Sequence, residues 1–301
     1  MKPSAAAVTV SSTAMEIDPA HTTIGQHASS TQRGELVIVG CGIQAPRHIS
    51  QRTVAEIRSA EIVLALADPF ALDWLSQLNP RLINLGEHYR EDRDRRLSYR
   101  DMQAEIMARL HAGHRTCVVL YGHPGVFAQV GRKALVKARS EGIPGRMEPA
   151  ISAADCLYAD LDIDPGEHGL QSIECTQFLI QQRSLDPTGL LVLWQLAHTG
   201  KLDCTGFAPD RRALKLLVAK LERWYRPDHQ VILYEAASLP IIEPRMESLP
   251  LRRLAAATIN EITTLVIPPA QSPVPDQAMI DQLRATFPPG EWQETPYPDY
   301  S

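Results

Sequence analysis

Tyr121-Gly122-His123-Pro124-Gly125-Val126-Phe127 is the stretch on which the reading of this 301-residue chain turns. It follows Thr116-Cys117-Val118-Val119-Leu120, a continuous apolar run of the kind that forms a strand buried on both faces. Two glycines and a proline directly after such a strand make a turn where the backbone can approach a ligand closely. A second strand-to-glycine turn, Val37-Ile38-Val39-Gly40-Cys41-Gly42, lies upstream. Two such turns in one α/β chain point to a nucleoside-type cofactor.

Outward from these turns, strands and helices alternate. Glu35–Val39 is a strand, and Thr53-Val54-Ala55-Glu56 fits a capping box opening a helix that runs to about Ala60. Ile62–Ala65 and Arg81–Leu85 read as strands, with an Asp68-Pro69 turn and a short leucine-containing helix between them. Met102, Ile106 and Leu110 recur at helical spacing, and Gly113 suits the helix end. Short connections between such elements imply a parallel sheet. A helix over Ala153–Asp160 is followed by a polar stretch from Asp162 to Gly169 that suits a boundary between two halves. Beyond it come strands at Leu190–Trp194, Gln230–Tyr234 and Thr263–Ile267, a long helix from Arg211 to Trp224, and a short one over Asp276–Phe287. The expected organisation is a disordered leader over 1–33, an N-terminal α/β subdomain over 34–150, a C-terminal one over 151–269 and a Pro-rich tail over 270–301.

Bulk properties exclude several functions. The formal charge of -5 argues against wrapping a nucleic-acid backbone. Cys41, Cys117, Cys156, Cys175 and Cys204 are far apart, form no CxxC pair and suit a reducing cytosol without a metal site. His111 and His114 read as solvated residues at a helix end. No apolar run reaches the roughly 18 residues of a membrane span. A cytoplasmic protein with no membrane or nucleic-acid partner is expected.

Gly40, Gly42 and Ala45 fit the dinucleotide pattern G-x-G-x-x-G/A. However, Pro46 and a helix beginning near Thr53 leave the helix start too late to receive a pyrophosphate, and Asp68 comes late for a ribose contact. A nicotinamide or flavin enzyme is therefore disfavoured. The order of VGCGIQAP, ALADP, YGHPGVF, PAISAADCLYADL, VLWQLAH, ILYEAA and TTLVIPP instead resembles the tetrapyrrole-methylase superfamily of S-adenosylmethionine-dependent methyltransferases, over roughly Glu35 to Pro269. Within it, YGHPGVF with RKALVKARSEGIPGRMEPAISAADCLYADLDIDP is similar to the borosin peptide-backbone α-N-methyltransferases. The resemblance implies two α/β subdomains of the class III methyltransferase type, with S-adenosylmethionine in the cleft between them and S-adenosylhomocysteine as product. It also implies a homodimer that methylates backbone amides.

An amide nitrogen is a poor nucleophile because its lone pair is delocalised into the carbonyl. A site for its methylation must hold it in line, and remove the N–H proton or stabilise charge on the carbonyl oxygen. By resemblance, Arg95 and Tyr99 match the family's catalytic arginine and tyrosine, Tyr89 a further active-site tyrosine, and Tyr121 opens the cofactor turn. Where the family has another tyrosine just before this run, Gly86 stands here, so that Tyr89 or His88 would take that role. Without the resemblance, 88–100 reads as a solvated charged loop. Cofactor contacts carried over are Gly40, Gly42, Pro46, Tyr121, His123, Val126, Phe127, Ser152, Ala153, Gln195 and Ala236. His123 also suits a purely turn-fixing role, and Trp194 and Trp224 suit the core.

Fused borosins carry an apolar substrate stretch at their own C-terminus. Here the tail reads PPGEWQETPYPDYS, with prolines that have no N–H to methylate. A split system with a separate precursor peptide is expected. Two rivals remain: a corrin or porphyrin-precursor C-methyltransferase on the same fold, and a cofactor-binding regulatory or peptide-docking protein without catalysis.

Overall fold

The computed structural model describes residues 34–90, 93–202 and 208–287. The expected leader, Cys204 and the end of the tail lie outside the described residues.

The first half alternates as its apolar pattern requires: β1 (Glu35–Gly40), α1 (Gln51–Ser59), β2 (Ile62–Leu66), α2 (Pro69–Leu78), β3 (Leu82–Asn84), α3 (Arg95–His111), β4 (Arg115–Leu120), α4 (Gln129–Ser140) and β5 (Gly145–Met147). The strands pair in the order β3-β2-β4-β1-β5, all parallel. Successive side chains of a strand point to opposite faces. Leu36 and Ile38 thus pack with Met102, Ile106 and Ala134 under α3 and α4, while Val37 and Val39 pack with Ile57 and Leu75 under α1 and α2. Both faces are covered, which is why β1 and β4 read as unbroken apolar runs.

The helix expected from a capping box at Thr53 begins earlier. Ser50 is the N-cap, its side chain accepting from the Thr53 N–H at 3.0 Å. Thr53 and Glu56 are buried in the helix, and the Glu56 carboxylate is held by Arg115 at 2.7 Å and Arg146 at 2.8 Å. With Arg52 also on it at 2.8 Å, a carboxylate held by three guanidiniums does not reach back to cap the helix.

α5 (Ala153–Asp160) leads to β6 (Leu170–Glu174), α6 (Cys175–Ile180), β7 (Leu190–Trp194), α7 (Arg211–Leu221), β8 (Gln230–Glu235), β9 (Arg245–Pro250), β10 (Thr264–Ile267) and α8 (Gln277–Thr286). The second sheet runs β6-β7-β10-β8-β9 and is mixed, with only β6 and β7 parallel. The parallel sheet inferred from the alternation in the first half is observed there, while the second half, for which the sequence predicts strands but no pairing, is mixed. Leu191, Leu193, Val231 and Leu265 pack with α6 and α7, and Val192, Trp194, Tyr234 and Val266 pack with Leu157 of α5.

The chain reverses winding direction at β1 and β4, which are neighbours. β1 feeds α1 on one face of the sheet, and β4 feeds α4 on the other. In open parallel sheets, ligands bind outside the carboxyl ends of the strands at such a switch point. Both glycine turns lie there.

Candidate active site

The two turns are joined by backbone. Gly42 and Gly122 form a bridge in which the Gly122 N–H donates to the Gly42 carbonyl at 2.9 Å. Both glycines hold left-handed backbone, with φ of 72° and 68°. A Cβ on Gly40 would run into the Gly122 carbonyl and lie 2.6 Å from the Ala150 Cβ. Pro46 follows a cis peptide. The Gln44 side chain, in the first turn, donates to the Ala237 carbonyl at 3.0 Å and ties this turn to the end of β8. His123 accepts from the Gly125 N–H through Nδ1 at 2.9 Å, the turn-fixing role. Ser152 caps α5 in a capping box with Asp155.

Beside these turns is a cavity of about 140 Å³, lined by Tyr121, Phe127, Ala153, Trp194, Gln195 and Ala236, among others. Five of the carried-over cofactor residues therefore meet there; Gly40, Gly42, Pro46, His123, Val126 and Ser152 are not in its lining and build the turns and helix start around it. The polar tips of two aromatic walls are already engaged. The Trp194 Nε1–H donates to Ser172 at 2.7 Å, and the Tyr234 hydroxyl to Asp160 at 2.7 Å. Trp194 is in the core as expected, and it is also a cavity wall. Burial, with the Asp68 charge adding to it, pushes the Tyr121 phenol above its ordinary pKa. Phe127 and Gln195 hold left-handed backbone at φ 50° and 58°, unusual for residues with a Cβ. Such strain clusters at ligand sites, and two of the three instances among the described residues line one cavity, Asp162 being the third.

Phe127 and Gln195 also line a larger cavity of about 1020 Å³, together with Arg95 and Tyr99. Residues 95–99 are not a loop. Asp94 caps α3 by accepting from the Arg96 N–H at 2.8 Å, which places Arg95 and Tyr99 one turn apart on one helix face. The Tyr89 and Tyr99 rings stand edge to face at 6.0 Å. Burial, followed by the neighbouring Tyr99, pushes the Tyr89 phenol upward, so that it remains a protonated donor. His88 points elsewhere, to Glu105 at 2.6 Å. The structure thus brings Tyr89, Arg95 and Tyr99 together, with Tyr121 in the adjoining cavity.

His198 was missed as a functional residue. It is buried, and its Nε2 lies 3.3 Å from Arg95 Nη1. A guanidinium only donates, so Nε2 is the acceptor of a neutral imidazole protonated at Nδ1. Consistently, burial lowers His198 to about 4, with Arg95 and Lys201 adding to the effect. Gln195 starts the short turn Leu196–His198, the His198 N–H donating to the Gln195 carbonyl at 2.9 Å. The sequence carries no local signal for this role, since His198 stands in VLWQLAH with its partner Arg95 far upstream on α3.

No group of three metal-ligating side chains gathers among the described residues. No helix among them is long and apolar enough to cross a membrane.

Comparison with known proteins gives the family and the fold. The family profile of Tetrapyrrole (Corrin/Porphyrin) Methylases matches residues 35–254. A methyltransferase/ribosomally synthesized gymnopeptides precursor of Gymnopus fusipes is 33% identical over 263 residues, 86% of this chain and 63% of that protein. A type I borosin precursor fusion of Coprinopsis marcescibilis is 36% identical, covering 80% of this chain and 63% of its own length. The omphalotin A precursor fusion of Omphalotus olearius is 32% identical, over 80% of this chain and 59% of its length. The match thus spans under two thirds of each of these relatives. Among solved structures, uroporphyrin-III-C-methyltransferase of Thermus thermophilus superposes with a TM-score of 0.58 at 18% identity, over 79% of this chain and 93% of its own, a likeness of fold.

Proposed function

The chain belongs to the tetrapyrrole (corrin/porphyrin) methylase family, whose methyl donor is S-adenosylmethionine, and from that premise we propose that it methylates backbone amide nitrogens of a separate, ribosomally made precursor peptide. The observation that carries the proposal is the convergence of Arg95 and Tyr99 on the cavity that shares Phe127 and Gln195 with the cofactor-side cavity. A C-methyltransferase of the same fold needs the turns but has no evident use for that pair. The borosin precursor fusions that this chain is similar to support the peptide as substrate.

The narrow cavity, at about 140 Å³, has room for one part of a nucleoside sulfonium, such as its base. Its walls are aromatic side chains, two alanines and Ile262, with Gln195, Glu261 and Thr264 as polar residues, and Phe127 and Gln195, both in left-handed backbone, are among its lining. Tyr121, Phe127, Ala153, Gln195 and Ala236 would hold the cofactor there. When bound, S-adenosylmethionine supplies an electrophilic methyl group on sulfur.

The chain's own residues then act on the amide. Arg95, held from behind by the neutral His198, directs its guanidinium toward the cavity and stabilises negative charge growing on the amide oxygen, while the nitrogen gives up its proton to solvent through the open cavity and takes the methyl group from sulfur. Tyr89, kept protonated by burial, supports Tyr99 at the same wall. A raised phenol pKa favours donation over proton abstraction, so Tyr89 acts as a donor. A homodimer, the assembly the resemblance implies, and a cytoplasmic setting belong to the same proposal, and sedimentation of the purified chain tests the former.

The test is incubation with S-adenosylmethionine and the product of a small neighbouring open reading frame, followed by fragmentation mass spectrometry. Methyl groups on peptide backbone nitrogens are expected. Methyl groups on the protein's own tail, or on carbon atoms of an added tetrapyrrole and on no peptide, would overturn the proposal.

A further inference from the structure

The larger cavity continues along one face of α4. Gln129, Arg132, Lys133, Val136, Lys137 and Ser140 line it, a spacing that puts all six on a single helical stripe. The opposite stripe, Val130, Ala134, Leu135 and Ala138, is buried in the core. Across the groove, α3 contributes Arg95, Tyr99 and Gln103, and the Gln103 side chain donates to the Lys133 carbonyl at 3.2 Å. Five cations line this groove and no carboxylate does. Arg96 is answered by Asp94 at 2.6 Å. Arg132, Lys133 and Lys137 are exposed and make no ion pair among the described residues. In a chain with net charge -5, three unanswered cations on one stripe that ends at Arg95 and Tyr99 form a directional feature.

We propose that this groove docks an acidic segment of the substrate polypeptide, one that flanks the stretch being methylated and carries carboxylates at alternate residues. The inference rests on the peptide reading given above. The spacing follows from two repeats. Lys133 and Lys137 are one helical turn apart, about 6 Å along the axis. An extended chain returns a side chain to the same side every two residues, about 6.6 Å. A Glu-x-Glu or Asp-x-Asp segment therefore matches the two ammonium groups in register. The exposed Val136 beside them leaves an apolar surface under the peptide backbone between the two carboxylates, the intervening side chain pointing away from the helix. Charge here sets the register of the peptide, and through its rate of encounter adds to its affinity at low salt.

Two fluorescein-labelled synthetic peptides test this, both with a Val/Ile/Gly-rich stretch, one flanked by Glu-x-Glu and its twin by Gln-x-Gln. Anisotropy with the full chain should show the Glu peptide bound about 10-fold tighter at about 0.1 M salt, with the gap closing near 1 M as the screening length falls to about 3 Å. K133E/K137E should reverse the preference and K133Q/K137Q should abolish it, each binding S-adenosylhomocysteine as the parent does. Equal binding of the two peptides, binding of neither, or a preference that survives in both variants would overturn the inference. Displacement of the Glu peptide by uroporphyrin at lower concentration than by unlabelled peptide would also overturn it and assign the groove to a tetrapyrrole polycarboxylate. Mass spectrometry of the same mixtures separates the two failures. Methylation of both peptides alike removes the groove's role and leaves the peptide reading standing. Glu-selective docking without methylation keeps the groove and counts against the peptide reading.

Discussion

Replacing His198 by Gln removes a titrating group from behind Arg95 while retaining an acceptor for it. In the folded chain His198 is neutral down to about 4, below the ordinary 6.5. The unfolded chain therefore binds more protons between those values, and stability falls as pH drops through that window. The full shift corresponds to about 3 kcal/mol. Because Arg95 opens on a solvent-filled cavity, the discounted figure is about 2 kcal/mol. Urea unfolding at pH 7 and near pH 4.5 should show the parent losing about 1–2 kcal/mol more than H198Q. Groups common to both proteins cancel in that difference. H198A, which leaves the guanidinium without this acceptor, should lower kcat/KM about 10- to 100-fold, since a hydrogen bond to a charged group is worth roughly 1.5–3 kcal/mol. Equal losses of stability in parent and H198Q would refute the neutral, buried imidazole. Unchanged turnover in H198A would refute its hold on Arg95.

Three further outcomes follow from the site. Arg95→Lys gives up the planar fork of donors and should reduce kcat at least about 100-fold with S-adenosylhomocysteine affinity retained in calorimetry. Gly40→Ala drives a methyl group into the Gly122 carbonyl and Ala150, and should cost about 3 kcal/mol or more by chemical denaturation, with cofactor binding lost alongside. Ser152→Ala removes the N-cap of α5 and should cost about 1 kcal/mol in thermal or urea unfolding.

The parts of the fold that were legible share a property: they are buried on both faces or capped locally. β1, β4 and β7 are continuous apolar runs, and α5 was placed at Ala153–Asp160, the bounds observed. The strands that were missed are edges. β6 carries Gln171, Ser172 and Glu174, and β9 carries Arg245, Glu247 and Ser248, polar residues that an edge strand tolerates and that leave little apolar pattern to read. Thr53 was misread for a related reason. The pattern T-x-x-E is local, whereas what Glu56 does is decided by Arg115 and Arg146, 59 and 90 residues away.

His198 follows the same rule at the site. Nothing local marks it, since its partner lies 103 positions earlier on α3. What makes the meeting possible is Gln195, which leaves β7 in left-handed backbone and turns Leu196–His198 back beneath Arg95. The strain at one residue therefore serves both cavities: it sets a cavity wall beside Trp194 and sends His198 to the arginine of the other. A β-strand running straight on from Trp194 would supply the first and lose the second. The left-handed Gln195 is for this reason better understood as the joint between the cofactor side and the catalytic side than as a contact to either alone.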